Sequence, residues 1–199
     1  MSRLTSQAQG RMAELLFVTL AVLGSRGVIK AGMPMVDDEG RDVEIHIGGR
    51  FRAALAIQVK SSAARLRWYG TLLRLQIPLH IRPESLVDDP RYWYFLAHID
   101  LRLLRLSEYV FLVPSKTMHA FLRASLRRGE RSITFQTNMD PAAHDRWTPY
   151  RLKSAELGQR LVDLMHEAPQ GFIEAETLSA LRTIPGLCML GTESASNEM

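Results

Sequence analysis

Asp42, Glu44 and His46 occupy alternate positions of the run RDVEIHI, and Gln58 and Lys60 occupy alternate positions of ALAIQVK. Alternate side chains of a strand stand on one face, so each run carries an apolar face and a polar one. The Gly48-Gly49 pair between them predicts a hairpin. A two-residue loop there sets Asp42 opposite Leu55 and mixes the faces. A three-residue loop at Gly49-Arg50-Phe51 or at Gly48-Gly49-Arg50, or a bulge, restores matching faces, and the first of these sets Asp42 opposite Gln58. The sequence thus allows one polar cluster of Asp42, Gln58 and Lys60, with Glu44 next along. Such a cluster suits metal-assisted phosphodiester hydrolysis. Mg²⁺ takes hard oxygen ligands, commonly one or two carboxylates completed by water and phosphate oxygens. Asp42 offers a carboxylate, Gln58 a carbonyl oxygen, and Lys60 a charge to offset that developing on the phosphate.

The elements that must position this cluster are legible in outline. Thr5 to Leu23 reads as a helix with Thr5 or Ser6 as N-cap, ended by Gly24 to Gly27 and carrying a mostly apolar stripe of Met12, Leu15, Leu16, Thr19, Leu20 and Leu23. Val28 to Met35 reads as a short extended segment. Pro78 argues against a central strand over Leu72 to Ile81. Tyr92 to Ile99 and Tyr109 to Val113 are aromatic and β-branched, as strands are. LRLLRL between them fits a helix or a longer first strand. Ser115 is expected to cap a helix to about Arg127, Ser132 to Thr137 to form a strand, and Leu152 to His166 a helix with Leu157, Leu161, Leu164 and Met165 on one face. This order predicts a single α/β (α+β-like) domain over residues 1–185, with a mixed central sheet flanked by helices and a mobile C-terminal tail over 186–199.

Composition bounds the rest. The 199 residues are 46% hydrophobic and 23% charged, with a net charge of +4 and a pI of about 9.5. The basic side is mostly Arg, which grips phosphate with two parallel donors. The single Cys188 excludes a disulfide framework and points to a reducing, cytoplasmic compartment. Leu15 to Leu23 is too short to span a bilayer and lacks a cleavage site after it, so no membrane role is expected. The histidines form no H-x-x-x-H pair, which disfavours a zinc hydrolase, and His46 alone reads as polar surface. No P-loop and no G-x-S-x-G is present. Arg65, Arg67 and Arg74, interleaved with Trp68 and Tyr69, read either as a track for a phosphate backbone or as a solvated loop with aromatic anchors.

GRDVEI followed a hairpin later by IQVKSS resembles the PD-(D/E)XK nuclease superfamily, in its variant with Gln-x-Lys in place of Glu-x-Lys. GRMAE, Gly10 to Glu14, is similar to that family's Gly-x-x-x-Glu element in the preceding helix. The resemblance covers residues 10–62, and more loosely 92–115. It implies a restriction-endonuclease-like fold, with Asp42 as the metal-binding Asp, Gln58 at the Glu/Gln position, Lys60 as the catalytic Lys and Glu14 as the helix carboxylate. The pair before the strand is Arg41-Asp42 rather than Pro-Asp, and Gln58 is neutral. The expected function is a Mg²⁺- or Mn²⁺-dependent endonuclease hydrolysing DNA, with nucleic acid as partner and a homodimer as the family-level expectation. The alternative is an inactive nuclease-like domain that binds nucleic acid or a partner protein.

Overall fold

A computed structural model describes residues 5–34, 41–64, 66–70, 72–79, 86, 88–127 and 133–167. The expected tail over 186–199 and half of the PESLVDDP segment (residues 83–85 and 87) lie outside the described residues. The elements are α1 (Ser6–Gly24), β1 (Ile29–Gly32), β2 (Val43–Ile47), β3 (Arg50–Ser62), β4 (Arg67–Tyr69), β5 (Leu72–Leu79), β6 (Tyr92–Asp100), β7 (Arg105–Pro114), α2 (Ser115–Arg127), β8 (Ile133–Asn138), β9 (Arg151–Lys153) and α3 (Leu157–Glu167). A six-stranded sheet runs in the order β1-β2-β3-β6-β7-β9. Only its β3–β6 pair is parallel, so the sheet is mixed. A separate three-stranded antiparallel sheet has the order β4-β5-β8. The fold is mixed α/β with a central mixed sheet between helices, as expected.

The two faces of the large sheet build two cores. On one, Val43, Ile45, Leu55, Ile57, Val59, Phe95 and Ala97 pack against α1 and α3. On the other, Tyr94, Leu96, Phe111 and Val113 pack against α2 and the small sheet. Thr5 caps α1, its hydroxyl accepting from Ala8 N at 3.2 Å.

The apolar stripe foreseen for α1 borders its core face rather than forming it: Met12, Leu16 and Leu20 are partly buried against the core. Ala13, Phe17 and Ala21 are fully buried, whereas Leu15 and Leu23 are 52% and 71% exposed. Small residues let the helix axis come close to the sheet, and Phe17 fills the remaining space with its ring 4.8 Å from that of Phe95. Three further expectations are corrected. Pro78 does lie in the central strand of a sheet, but β4 pairs only with Leu72 to Arg74, so β5 has a neighbour on one side alone at Pro78. LRLLRL forms neither helix nor strand extension: Leu101 to Leu104 turn the β6–β7 hairpin, with Leu104 at φ 49°. The last helix begins at Leu157, because residues 151–153 pair with β7 as an edge strand first.

The hairpin resolves the register question. Gly48 and Gly49 form a two-residue turn, Gly49 at φ +79°, which closes with Ile47 opposite Arg50. His46, however, stands opposite Ala54, so residues 51, 52 and 53 intervene on β3 as a bulge. That odd shift brings Glu44 opposite Ala56 and Val43 opposite Ile57, and keeps like faces together.

Candidate active site

Continuing that register sets Asp42 beside Gln58, at the point where β2 ends and β3 runs on. Asp42 N donates to Ile57 O at 3.0 Å, the last rung of the ladder. Beyond it the Val59 N–H has lost a strand partner on that side, and the Asp42 carboxylate takes the vacant place: Val59 N donates to Asp42 Oδ2 at 2.6 Å. A short charge-assisted bond of this kind fixes a carboxylate firmly. Because Val59 lies between Gln58 and Lys60, the bond also fixes Asp42 level with both. All three are half-buried, while Leu55, Ile57 and Val59 point into the core on the other face.

Gln58 is held from the β6 side, where the Tyr92 hydroxyl donates to Gln58 Oε1 at 3.2 Å. Lys60 makes no hydrogen bond or ion pair among the described residues and stands opposite Leu96 of β6. The structure therefore brings Asp42, Gln58 and Lys60 to one face. Glu44 lies farther along it and pairs with Arg41 at 2.7 Å.

Glu14 belongs to α1, which covers the opposite face of β3. Its carboxylate binds Arg11 at 2.8 Å, with the Glu14 side chain only 19% exposed, and it makes no hydrogen bond to Asp42, Gln58 or Lys60. The start of α1 nonetheless lies at the Lys60 end of β3, because Gln9 Nε2 donates to Ser61 O at 3.1 Å. Of the proposed phosphate-tracking residues, Arg65 lies outside the described residues. Arg67 and Arg74 occupy opposite positions in the β4–β5 pair, and Trp68, next to Arg67 in β4, is 63% exposed. Ser115 is not a free hydroxyl: it is buried and bonded to the Asp89 backbone, donating to O at 2.7 Å and accepting from N at 3.1 Å.

Sequence reasoning missed the polar groups behind Gln58. Tyr92 and Tyr94 stood in an aromatic run that signalled only a strand. His119 on α2 and Asp88, whose side chains meet at 2.9 Å, are 31 residues apart with no motif joining them. Burial pushes the His119 imidazole below its ordinary value, with the Asp88 carboxylate partly opposing this.

The donor set can be weighed against a metal ion. Among the described residues no three His, Cys, Asp or Glu side chains converge. A zinc centre or an all-protein calcium cage is not offered by such a set. One anchored carboxylate and one amide carbonyl do fit Mg²⁺, which keeps several waters and takes phosphate oxygens.

No family model matches the chain, and a search of curated proteins finds no match. Among solved structures, the chain is similar to a bacterial homing endonuclease, I-Ssp6803I, at 14% identity and a TM-score of 0.46, over 81% of this chain and 93% of that one.

Proposed function

We propose that this chain is a Mg²⁺-dependent endonuclease of the Gln-x-Lys PD-(D/E)XK kind that hydrolyses DNA phosphodiester bonds. The observation that carries the reading is the convergence of Asp42, Gln58 and Lys60 on one half-buried face, with Asp42 locked between the other two by Val59 N. Asp42 and Gln58 would hold the ion, and Glu14 of α1 is the proposed further carboxylate. A bound Mg²⁺ supplies Lewis-acid charge at the phosphate oxygens and a more acidic water.

The chain's own groups do the rest. Lys60 has no carboxylate partner among the described residues, so its ammonium is available to a non-bridging phosphate oxygen. Asp42 orients the attacking water through the same oxygens that hold the ion. A bond would form from water oxygen to phosphorus as the bond to the leaving sugar oxygen breaks; the attacking water gives up a proton to bulk solvent, and solvent returns one to the leaving oxygen. Arg65, Arg67 and Arg74 would follow the backbone, with exposed Trp68 as a stacking surface. A homodimer would place one site on each strand.

The second reading, a non-catalytic nucleic-acid-binding domain, draws on the Arg11–Glu14 pair, which occupies the helix carboxylate. Incubating purified protein with supercoiled plasmid and Mg²⁺ or Mn²⁺ separates the two. Nicking or linearisation that Lys60→Ala abolishes supports the enzyme. Plasmid retardation without cleavage in either protein supports the binding domain.

A further inference from the structure

The apolar stripe of α1 is covered only in part. Leu15 and Leu23 are exposed, and lie four residues to either side of Thr19 on one ridge of the helix. Beside that ridge runs a groove of about 480 Å³ between α1 and β7. Leu16, Leu20 and Leu106 line it together with Thr19, whose hydroxyl is satisfied within the helix by donating to Leu15 O at 2.8 Å. Two side chains of opposite charge, Arg105 and Glu108, line the same groove. Both are exposed residues of β7, and neither makes a hydrogen bond or ion pair among the described residues. A single exposed leucine needs no explanation, but a ridge of them along an apolar groove marks a contact surface.

Shape, charge and symmetry together identify what covers it. A ridge lying next to a groove fits its own copy turned about a twofold axis, because each ridge then enters the other's groove, as i±4 ridges do between packed helices. Thr19, smaller than the leucines on either side, keeps the ridge low at its middle, where the two helices would cross. Across a twofold axis residue i meets j and j meets i, so Arg105 and Glu108 would pair twice. The two charges also cancel. A phosphate backbone or an anionic lipid surface is drawn instead by clustered cations, which this groove does not offer.

We propose that the α1–β7 groove is a self-complementary docking surface for a second copy of this chain, with Leu15 and Leu23 of one copy seated in the groove of the other and Arg105 paired with the partner's Glu108. This assigns a face to the homodimer and does not depend on the endonuclease reading. Leu16, Leu20 and Leu106 belong to the core on the α1 side of the large sheet, whereas Asp42, Gln58 and Lys60 lie on its other face. The contact therefore leaves the candidate site uncovered.

The test is sedimentation velocity of the full chain over roughly 0.1–100 µM, a range in which interfaces of modest quality dissociate. Wild type should pass from monomer to dimer within it. Arg105→Glu and Glu108→Arg each set like charges face to face, and each should weaken association by about tenfold or more. The double variant Arg105→Glu/Glu108→Arg restores opposite charges and should recover the dimer. Leu15→Ser/Leu23→Ser, at exposed positions where folding loses little, should give a monomer with the circular dichroism spectrum of wild type. Wild type that stays monomeric throughout overturns the proposal. So does a dimer that none of these changes weakens, or one that each charge reversal weakens and the double reversal fails to rescue. Cleavage plays no part in this readout, so loss of the endonuclease reading would leave the result standing.

Discussion

At the scale of single residues, the proposed site joins a carboxylate fixed by Val59 N, an amide and a cation that makes no ion pair among the described residues. Lys60 should therefore matter to turnover and little to metal binding. Lys60→Ala is expected to lower the cleavage rate by about 10²- to 10³-fold, the cost of losing one donor to developing charge, while Mn²⁺ affinity stays within about twofold; single-turnover rates and calorimetry read the two separately. Gln58→Glu adds a second formal charge beside Asp42 and should tighten Mn²⁺ by roughly tenfold, since affinity rises with ligand charge. Weaker binding in that variant would show that position 58 does not touch the ion. Much of this site was legible beforehand, because two-residue periodicity and face matching already join Asp42, Gln58 and Lys60. The Arg11–Glu14 pair was one of two readings the helical spacing offered, and the structure forms it. What stayed hidden was the partner of Asp42: nothing in the sequence says that its carboxylate replaces a backbone carbonyl at Val59.

The elements succeed where a pattern is strong and local, and depart from expectation where packing chooses among faces. α1 is apolar nearly all round, so its sequence does not single out Ala13, Phe17 and Ala21 as the buried line. Only the close approach of neighbours selects it. The same closeness recurs where α1 ends against α3. A Cβ at Gly24 would lie 3.1 Å from Gly158 N, and one at Gly158 would collide with the Gly24 carbonyl carbon and the Ser25 nitrogen. Backbone meets backbone there, and neither can yield as a flexible side chain would. Helix propensity favours Ala over Gly by about 1 kcal/mol, yet Gly158→Ala should destabilise the protein by about 3 kcal/mol, the upper range of overpacking. Urea unfolding followed by circular dichroism decides the sign, and a stabilised variant would mean the two helices are not so closely apposed. Pro78 and the short β9 were unreadable for a related reason. Whether a strand is central at a given residue depends on how far its neighbour extends, and β4 stops three rungs along.

The whole molecule buries histidines in a way that couples its stability to pH. His98 is a buried residue of β6, with Nε2 bonded to Ala64 O at 3.0 Å and Nδ1 to Ser107 Oγ at 2.7 Å. Burial pushes both His98 and His119 below the ordinary value of 6.5, partly opposed at His98 by the Ala64 carbonyl and at His119 by Asp88. Asp145 is likewise lowered: burial raises it, but bonds from Asn138 N, Thr137 Oγ1 and Trp147 N outweigh that, and Asp88 is lowered chiefly by Arg123. The signs agree. As pH falls past 6.5 the unfolded chain takes up protons that the folded histidines refuse, so stability declines. Below 3.8 the unfolded aspartates do the same, and the decline continues. Thermal melting should thus give a Tm at pH 5 lower than at pH 7.5 by roughly 3 °C or more, the shift that about 1 kcal/mol makes in a chain of this size. His98→Gln, whose amide can still donate to Ala64 O, should narrow the difference between the two pH values. A Tm that is flat or rises on acidification would show that these imidazoles take up a proton in the folded state as readily as in water, and that Ser107 and Tyr94 can turn their hydroxyls to accept it.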